Sequence, residues 1–382
     1  MERKKRILVA FLVIMLCLLA CIGCSKEKSQ SSGTQSSGAR YKIAMLPQFL
    51  GENYFDGCRV GAEKAAREFG VELIYDGPSQ NESNNARQVE IVNGFIAQGV
   101  DAIIASPIDA MGIAPKLLEA QSKGITVVTF DADAREDSRN FFVNQATPFD
   151  LAEGLIKAIV PDLEKIGFGP NKPARLAMLG TNGTDENTNR WIYAVKEYCE
   201  TAENGKYRWI TVRTDASGYM GGDIWMPGVD ETVTQQAAEQ MLLVSGDASD
   251  GSQLNAIIGM SSMGGPALGA AYDNFFGRKP VVVITGIATP LGLKEYILDS
   301  NNPMNAGVLW DVGNLGYLSV EATVDYLDKK LDLNANTYRS RLGEKTILTT
   351  EVDIGGNKVQ AKEILLGTAL IFDKNNVNDF DF

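Results

Sequence analysis

From Tyr41 onward, short β-branched segments alternate with segments of helical period. "YKIAML" reads as a strand. Phe55, Cys58, Ala62, Ala65, Ala66 and Phe69 then recur at i, i+3, i+4 spacing and make one apolar helical face. "VELIYD" is the next strand, followed by a helix carrying Val89, Val92, Phe95 and Ile96, then "DAIIAS", a helix near 110–123, and "ITVVTF". This is the pattern of parallel βαβ units with right-handed crossovers. It restarts with the long helix "FDLAEGLIKAIVPDLEKIG", after which "ARLAMLG", "YRWITVRT", "AIIGM", "VVVITG" and "AGVLWD" read as strands. Two successive sets predict an α/β fold of two doubly wound parallel-sheet domains. The Gly-rich stretch 215–232 is expected to be a long lid or binding loop.

The segment before Tyr41 is not part of that pattern. Arg3, Lys4, Lys5 and Arg6 precede an uncharged apolar run from Ile7 to Ala20, which is the layout of an export signal. The run is short for a transmembrane helix, which needs about 20 residues. "LLAC" (Leu18 to Cys21) resembles a bacterial lipobox, in which the cysteine after the cleavage point carries lipid; "CIGC" offers Cys24 as the alternative. Residues 1–20 are therefore expected to be the signal peptide and residues 21–40, polar and Ser/Gly-rich, a lipidated tether. Its Ser/Gly-rich part reaches roughly 20–24 Å as a flexible coil.

Charge and histidine content narrow the function. The chain has 36 Lys+Arg against 48 Asp+Glu. Removing residues 1–20 takes away four basic residues and one acid, which leaves 32 against 47 and a net −15. So acidic a head argues against nucleic acid or anionic lipid surfaces as partners. There is no histidine, which removes Ser-His and Cys-His nucleophile pairs, His-liganded zinc and the commonest general base. Cys58 and Cys199 each fall on a predicted amphipathic helix and are expected to be buried free thiols.

In open parallel sheets, ligands sit beyond the carboxyl ends of the strands. The strand-end loops here are "PQFLGENYF", "SPIDA", "DADA", "GTNGTDENTNRW", "MSSMGG", "IATP" and "WDV". They are rich in amides, hydroxyls, carboxylates and aromatics, and poor in Lys and Arg apart from Arg190. That chemistry suits a neutral, hydroxyl-rich small molecule. "GFGPNK" lacks the last glycine of a dinucleotide fingerprint, "GMSSM" lacks the closing glycine of a nucleophile elbow, and "DADARED" has Glu136 where a calcium loop requires glycine. No cofactor and no metal are expected.

With these loops in view, the chain resembles the type I periplasmic-binding-protein family, the solute receptors of ABC sugar importers. The elements that carry the resemblance are "YKIAMLPQFLGENYF", "IYDGPS", "DAIIASPID", "TFDADA", "VNQATP", "GVLWDVGNLG" and "ALIFDKNNVNDFDF". They are similar to the branch of receptors for rhamnose and for a furanone-type autoinducer. The autoinducer pattern carries over at Asp131. It departs at Gln48, where that branch has lysine, and at Met260 and Ser262, where it has Pro-x-Ala. Its Asp-Gln pair falls on Asn187 and Thr188, or on Asp185 and Glu186 by the other count. One match in six favours a monosaccharide: a pentose, hexose or deoxyhexose such as rhamnose.

The resemblance implies two lobes, 41–144 plus 311–333 and 145–310 plus 334–382, that close over the ligand. It implies hinge strands near Asn144–Gln145, near Trp310–Asp311 and after Leu333. Asp131 is the expected carboxylate acceptor for sugar hydroxyls, with Asp133 behind it or capping a turn. Gln48, Asn53 and Asn187 are the candidate amide donors. Phe49, Tyr54, Trp191 and Trp310 are the candidate aromatic platforms, and Arg190, Met260, Ser262 and Asp311 complete the candidate set. The expected partners are an ABC permease and, through the lipid anchor, the outer face of the membrane. The head is expected to be monomeric and to perform no chemistry. A receptor feeding a sensor kinase and an anchored sugar-active enzyme are the alternatives.

Overall fold

The computed structural model describes residues 39–183, 185–201, 205–214, 221–380 and 382. The expected signal peptide, the lipidation cysteines Cys21 and Cys24, and the tether up to residue 38 lie outside the described residues. Ala39–Phe382 forms one compact unit with its own core.

The chain builds the first lobe from β1 (Lys42–Leu46), α1 (Asn53–Phe69), β2 (Glu72–Tyr75), α2 (Asn85–Ala97), β3 (Ala102–Ala105), α3 (Ala110–Ser122), β4 (Thr126–Phe130) and β5 (Phe141–Asn144). It then crosses to the second lobe. There it forms α4 (Pro148–Lys165), β6 (Ala174–Leu179), α5 (Glu186–Thr201), β7 (Ile210–Thr211), β8 (Ile224–Trp225), α6 (Glu231–Leu243), β9 (Ala256–Gly259), α7 (Gly264–Asp273), β10 (Val283–Gly286), α8 (Pro290–Leu298) and β11 (Ala306–Leu309). A second crossing leads to α9 (Val312–Leu327), β12 (Thr337–Ser340), β13 (Gly343–Ile354) and β14 (Asn357–Leu365). A third, at 366–369, returns to β15 (Leu370–Asp373), which pairs antiparallel with β11.

Among the described residues the first sheet runs β12-β13-β14-β5-β4-β3-β1-β2, and the second β10-β9-β6-β7 with β8 also on β6. Strands β1 to β5 pair in parallel, and every residue of β3 and β5 is buried. The two-set α/β reading therefore holds. Its lobe boundaries need one correction. Residues 337–365, expected in the second lobe, belong to the first sheet, because β14 pairs in parallel with β5 and carries the β13 and β12 hairpins with it. "YRWITVRT" shrinks to the two-residue β7, because the chain is still turning over 205–210, where Arg208 N donates to the Gly205 carbonyl and Ile210 N to the Tyr207 carbonyl. Of the loop expected over 215–232, residues 215–220 lie outside the described residues; the rest includes β8 and the first turn of α6. Cys58 and Cys199 are buried free thiols, as expected.

One helix contact positions the site. A Cβ added at Gly61 of α1 would lie 1.7 Å from the Gly313 carbonyl oxygen, and one at Gly316 of α9 would lie 1.8 Å from the Cys58 carbonyl oxygen. Only glycine lets the two backbones touch. Their closeness brings Tyr54, in the first turn of α1, against Trp310, just before α9.

Candidate functional site

Strand β4 ends in the two carboxylates of "FDADA", and the backbone sends them different ways. Asp131 has φ 60°, a left-handed conformation that aspartate tolerates better than most residues. The extended alternation stops there, so Asp131 and Asp133 no longer share a face.

Asp131 is buried at the floor between the lobes and accepts hydroxyls on both oxygens. Tyr54 Oη donates to Oδ1 at 2.8 Å and Ser106 Oγ to Oδ2 at 2.8 Å. Trp310 Nε1 donates to Tyr54 Oη at 3.0 Å, so a directed chain runs from indole to phenol to carboxylate. Burial pushes the Asp131 carboxyl up from 3.8 to about 6; the Ser106 and Tyr54 hydroxyls oppose the shift, and the nearby charges of Glu52 and Asp185 add to it. Burial, together with the Asp131 charge, holds the Tyr54 phenol far above its ordinary range.

Asp133 is committed elsewhere. Arg139 Nε donates to its Oδ1 at 2.7 Å and Nη2 to its Oδ2 at 2.5 Å, and Thr129 Oγ1 donates to Oδ1 at 2.6 Å. Arg139 also donates to the Lys362 carbonyl on β14. Asp133 therefore braces the junction of β4, β5 and β14 from behind the site.

The remaining candidates divide. Trp191 is half-buried on α5, with its ring 5.8 Å from that of Trp310, and Phe49 packs edge-on to Phe55 at 5.7 Å. Phe55 itself is a core residue. Asn187 reaches across the cleft and donates from Nδ2 to the Asp131 carbonyl at 3.1 Å. Gln48 donates to the Pro107 carbonyl at 3.1 Å and so ties two loops of the first lobe together. Asn53 and Arg190 are exposed, and Met260 is fully buried in the second-lobe core. Asp311 spends its carboxylate on capping α9, accepting from Asn314 N at 2.7 Å and Asn314 Nδ2 at 2.8 Å. Asp185 accepts at the start of α5 from Thr181 Oγ1 and Thr188 Oγ1.

Three residues at the site lie outside the candidate set, and a fourth, Gln145, was expected only at a hinge. Ser106 sits in the "SPIDA" strand-end loop and Glu52 in "PQFLGENYF", so the loop census contained both. Gln88 is fully buried and bonds to the Pro47 and Ser106 carbonyls and to Ile108 N, which locks the two loops; no local sequence signal marks it. Gln145 follows β5, whose Val143 is the register partner of Phe130, so it stands at the same sheet edge as Asp131. It is buried, and its side-chain oxygen Oε1 has no hydrogen-bond partner among the described residues. A separate cavity of about 320 Å³ between β8 and α6, lined by Trp225, Met226, Gln236 and Gln240, contains none of these residues.

Two α/β lobes, three crossings and a polar floor between them define a two-lobed ligand-binding protein. The chain belongs to the periplasmic binding protein domain family, which matches residues 43–331. It is 27% identical over 176 residues to the ribose import binding protein of Bacillus subtilis (strain 168), covering 46% of this chain and 55%, about half, of that relative's length. LsrB from Clostridium saccharobutylicum, solved in complex with AI-2, superposes with a TM-score of 0.74 at 24% identity, over 89% of this chain and 100% of that one. A solute binding protein from Clostridium phytofermentas with bound L-rhamnose superposes at 0.71 and 21% identity, over 89% and 97%. These two likenesses show a shared fold.

Proposed function

We propose that this chain is the solute receptor of an ABC importer and binds a neutral monosaccharide between its lobes. The observation that carries the reading is Asp131. A carboxylate held at the cleft floor, fixed by Tyr54 and Ser106, keeps lone pairs for two ligand hydroxyls, and a charged acceptor bonds about twice as strongly as a neutral one. Trp191 and Phe49, both half-buried, offer apolar faces for the C–H side of a sugar ring, while Trp310 is buried behind them and orients Tyr54; Gln145 offers an unpaired buried acceptor. The ribose import binding protein among its relatives supports a monosaccharide: a pentose, hexose or deoxyhexose. The receptor closes on its ligand, releases it to a permease and transforms nothing. It is held at the outer membrane face through lipid on Cys21.

A panel of L-rhamnose, D-ribose, D-allose, AI-2, amino acids and sugar phosphates, read by thermal melting, tests the ligand class. A ligand present at 100 times its Kd stabilises the protein by about 2.7 kcal/mol. A sugar from the panel is expected to raise the melting temperature; a shift with amino acids or phosphate esters alone refutes the reading. For the anchor, Cys21→Ser is expected to leave unprocessed precursor and Cys24→Ser is not. Normal lipidation of the first variant reassigns the site to Cys24.

A further inference from the structure

Glu52 holds the N-cap position of α1 with extended backbone (φ −107°, ψ 135°), yet its side chain caps nothing. It reaches instead to the second lobe, where Ser262 Oγ donates to Oε1 at 2.7 Å. Ser262 is free for this bond because its neighbour Ser261 does the local work of the β9–α7 turn, accepting from Gly264 N at 3.1 Å. Two further contacts span the same gap. Asn187 of α5 donates to the Asp131 carbonyl, and Phe382 lies beside Gly57 of α1 while its carbonyl accepts from Leu291 N of α8 at 3.1 Å.

We propose that Glu52 and Ser262 form a clasp between the lobes that holds part of the ligand-free population shut and slows escape of a bound ligand. They are positioning residues: they touch each other, and they act on the ligand through the open–closed equilibrium. The inference rests on the two-lobed receptor reading and is independent of which sugar binds. A ligand that meets a partly pre-closed protein has less of the closing free energy to supply, so the clasp raises retention without contacting the ligand. One charge-assisted hydrogen bond is enough to move the closed-to-open ratio by about tenfold.

The test uses the ligand-free unit 39–382 with nitroxide labels on Ser122→Cys in the first lobe and Glu239→Cys in the second, both exposed positions. The native Cys58 and Cys199 are buried and do not compete for label. Pulsed dipolar EPR of the labelled parent is expected to show a closed, short-distance population beside an open one. Ser262→Ala and Glu52→Ala are each expected to cut the closed-to-open ratio about tenfold. Glu52→Gln, which keeps the acceptor oxygen, should lose less, and the double alanine variant should lose no more than either single one. An unchanged ratio in the single variants, additive losses in the double, or a parent with no closed population overturns the clasp. Because no sugar is added, a failed ligand panel leaves this result interpretable, and the reverse holds too.

Discussion

Replacing each of the two acids by asparagine should separate function from stability. At Asp131, keeping the buried carboxylate ionised at neutral pH opposes folding: the rise from 3.8 to about 6 corresponds to about 3 kcal/mol. Asp131→Asn removes that cost while keeping the shape and one acceptor oxygen, and one of the two hydroxyls can turn to accept from the new amide. The ligand-free variant should therefore melt no lower than the parent. Its sugar affinity should fall roughly tenfold to a hundredfold, because a hydrogen bond to a charged group contributes about 1.5–3 kcal/mol. At Asp133 the signs reverse. Arg139 keeps only 1% of its side chain exposed and Asp133 keeps 20%. Removing one partner of a buried pair costs about 3–5 kcal/mol; the residual exposure of Asp133 lowers that to about 2–4. Asp133→Asn should melt several degrees lower and bind sugar nearly as well as the parent below its melting point. Calorimetric melting and titration on both variants, with the sugar found by the panel, make the comparison. A larger stability loss at Asp131 than at Asp133, or a larger affinity loss at Asp133, refutes the division of labour.

Further outcomes are expected. Since folded Asp131 titrates near 6 and unfolded aspartate near 3.9, the folded state retains the proton longer, so this group's contribution to stability is greatest below pH 4 and is lost as pH rises through 6. Sugar affinity, which requires the ionised form, should rise over the same interval and level off by about pH 7; titrations from pH 5 to 8 check this, and Asp131→Asn should flatten the profile. Gly316→Ala should destabilise by at least about 1–3 kcal/mol, because its Cβ meets the Cys58 carbonyl oxygen at 1.8 Å and neither backbone can yield. Gly94→Ala in α2, with nothing within 4 Å of the added Cβ, should stabilise by about 0.4–1 kcal/mol, as urea midpoints would show.

The strand–helix alternation was legible because burial on both faces makes parallel strands read as short apolar runs; "DAIIAS" and "ITVVTF" are such runs. The β13–β14 hairpin was written in the sequence differently. Gly355-Gly356 sits between two alternating polar segments, a hairpin turn signal. Which lobe the hairpin joins depends on β14 pairing with β5, more than two hundred residues earlier, and no local pattern encodes that partner. The same limit explains the site. Loop chemistry pointed to Asp131 and Tyr54, but the sign of φ at Asp131, which frees it from Asp133, is not a composition signal. Met260 matches a motif position by spacing alone; the chain at the end of β9 stays in the core and takes the side chain with it.

The floor of the cleft opposes the fold in two ways: Asp131 is left-handed and carries a buried charge. Residues held in sparsely populated conformations persist only where the surroundings over-determine them, and each costs about 1–3 kcal/mol. Here the surroundings are identifiable. Gln88 locks the loops on either side of Ser106, the glycine contact of α1 with α9 fixes Tyr54 against Trp310, and Arg139 holds the next acid away. Each brace lies outside the cleft contacts proposed for the sugar, and each fixes a group that bonds Asp131 or the turn it sits on. Ligand hydroxyls would add donors to a carboxylate already oriented by Tyr54 and Ser106, so the orientation is set before the ligand arrives and less affinity is lost to ordering it. A floor built this way favours ligands whose hydroxyls meet fixed acceptors. On the proposed reading, selection of one sugar over another would fall to the rings of Trp191 and Phe49, which are only partly buried and lie at the edge of the packed core.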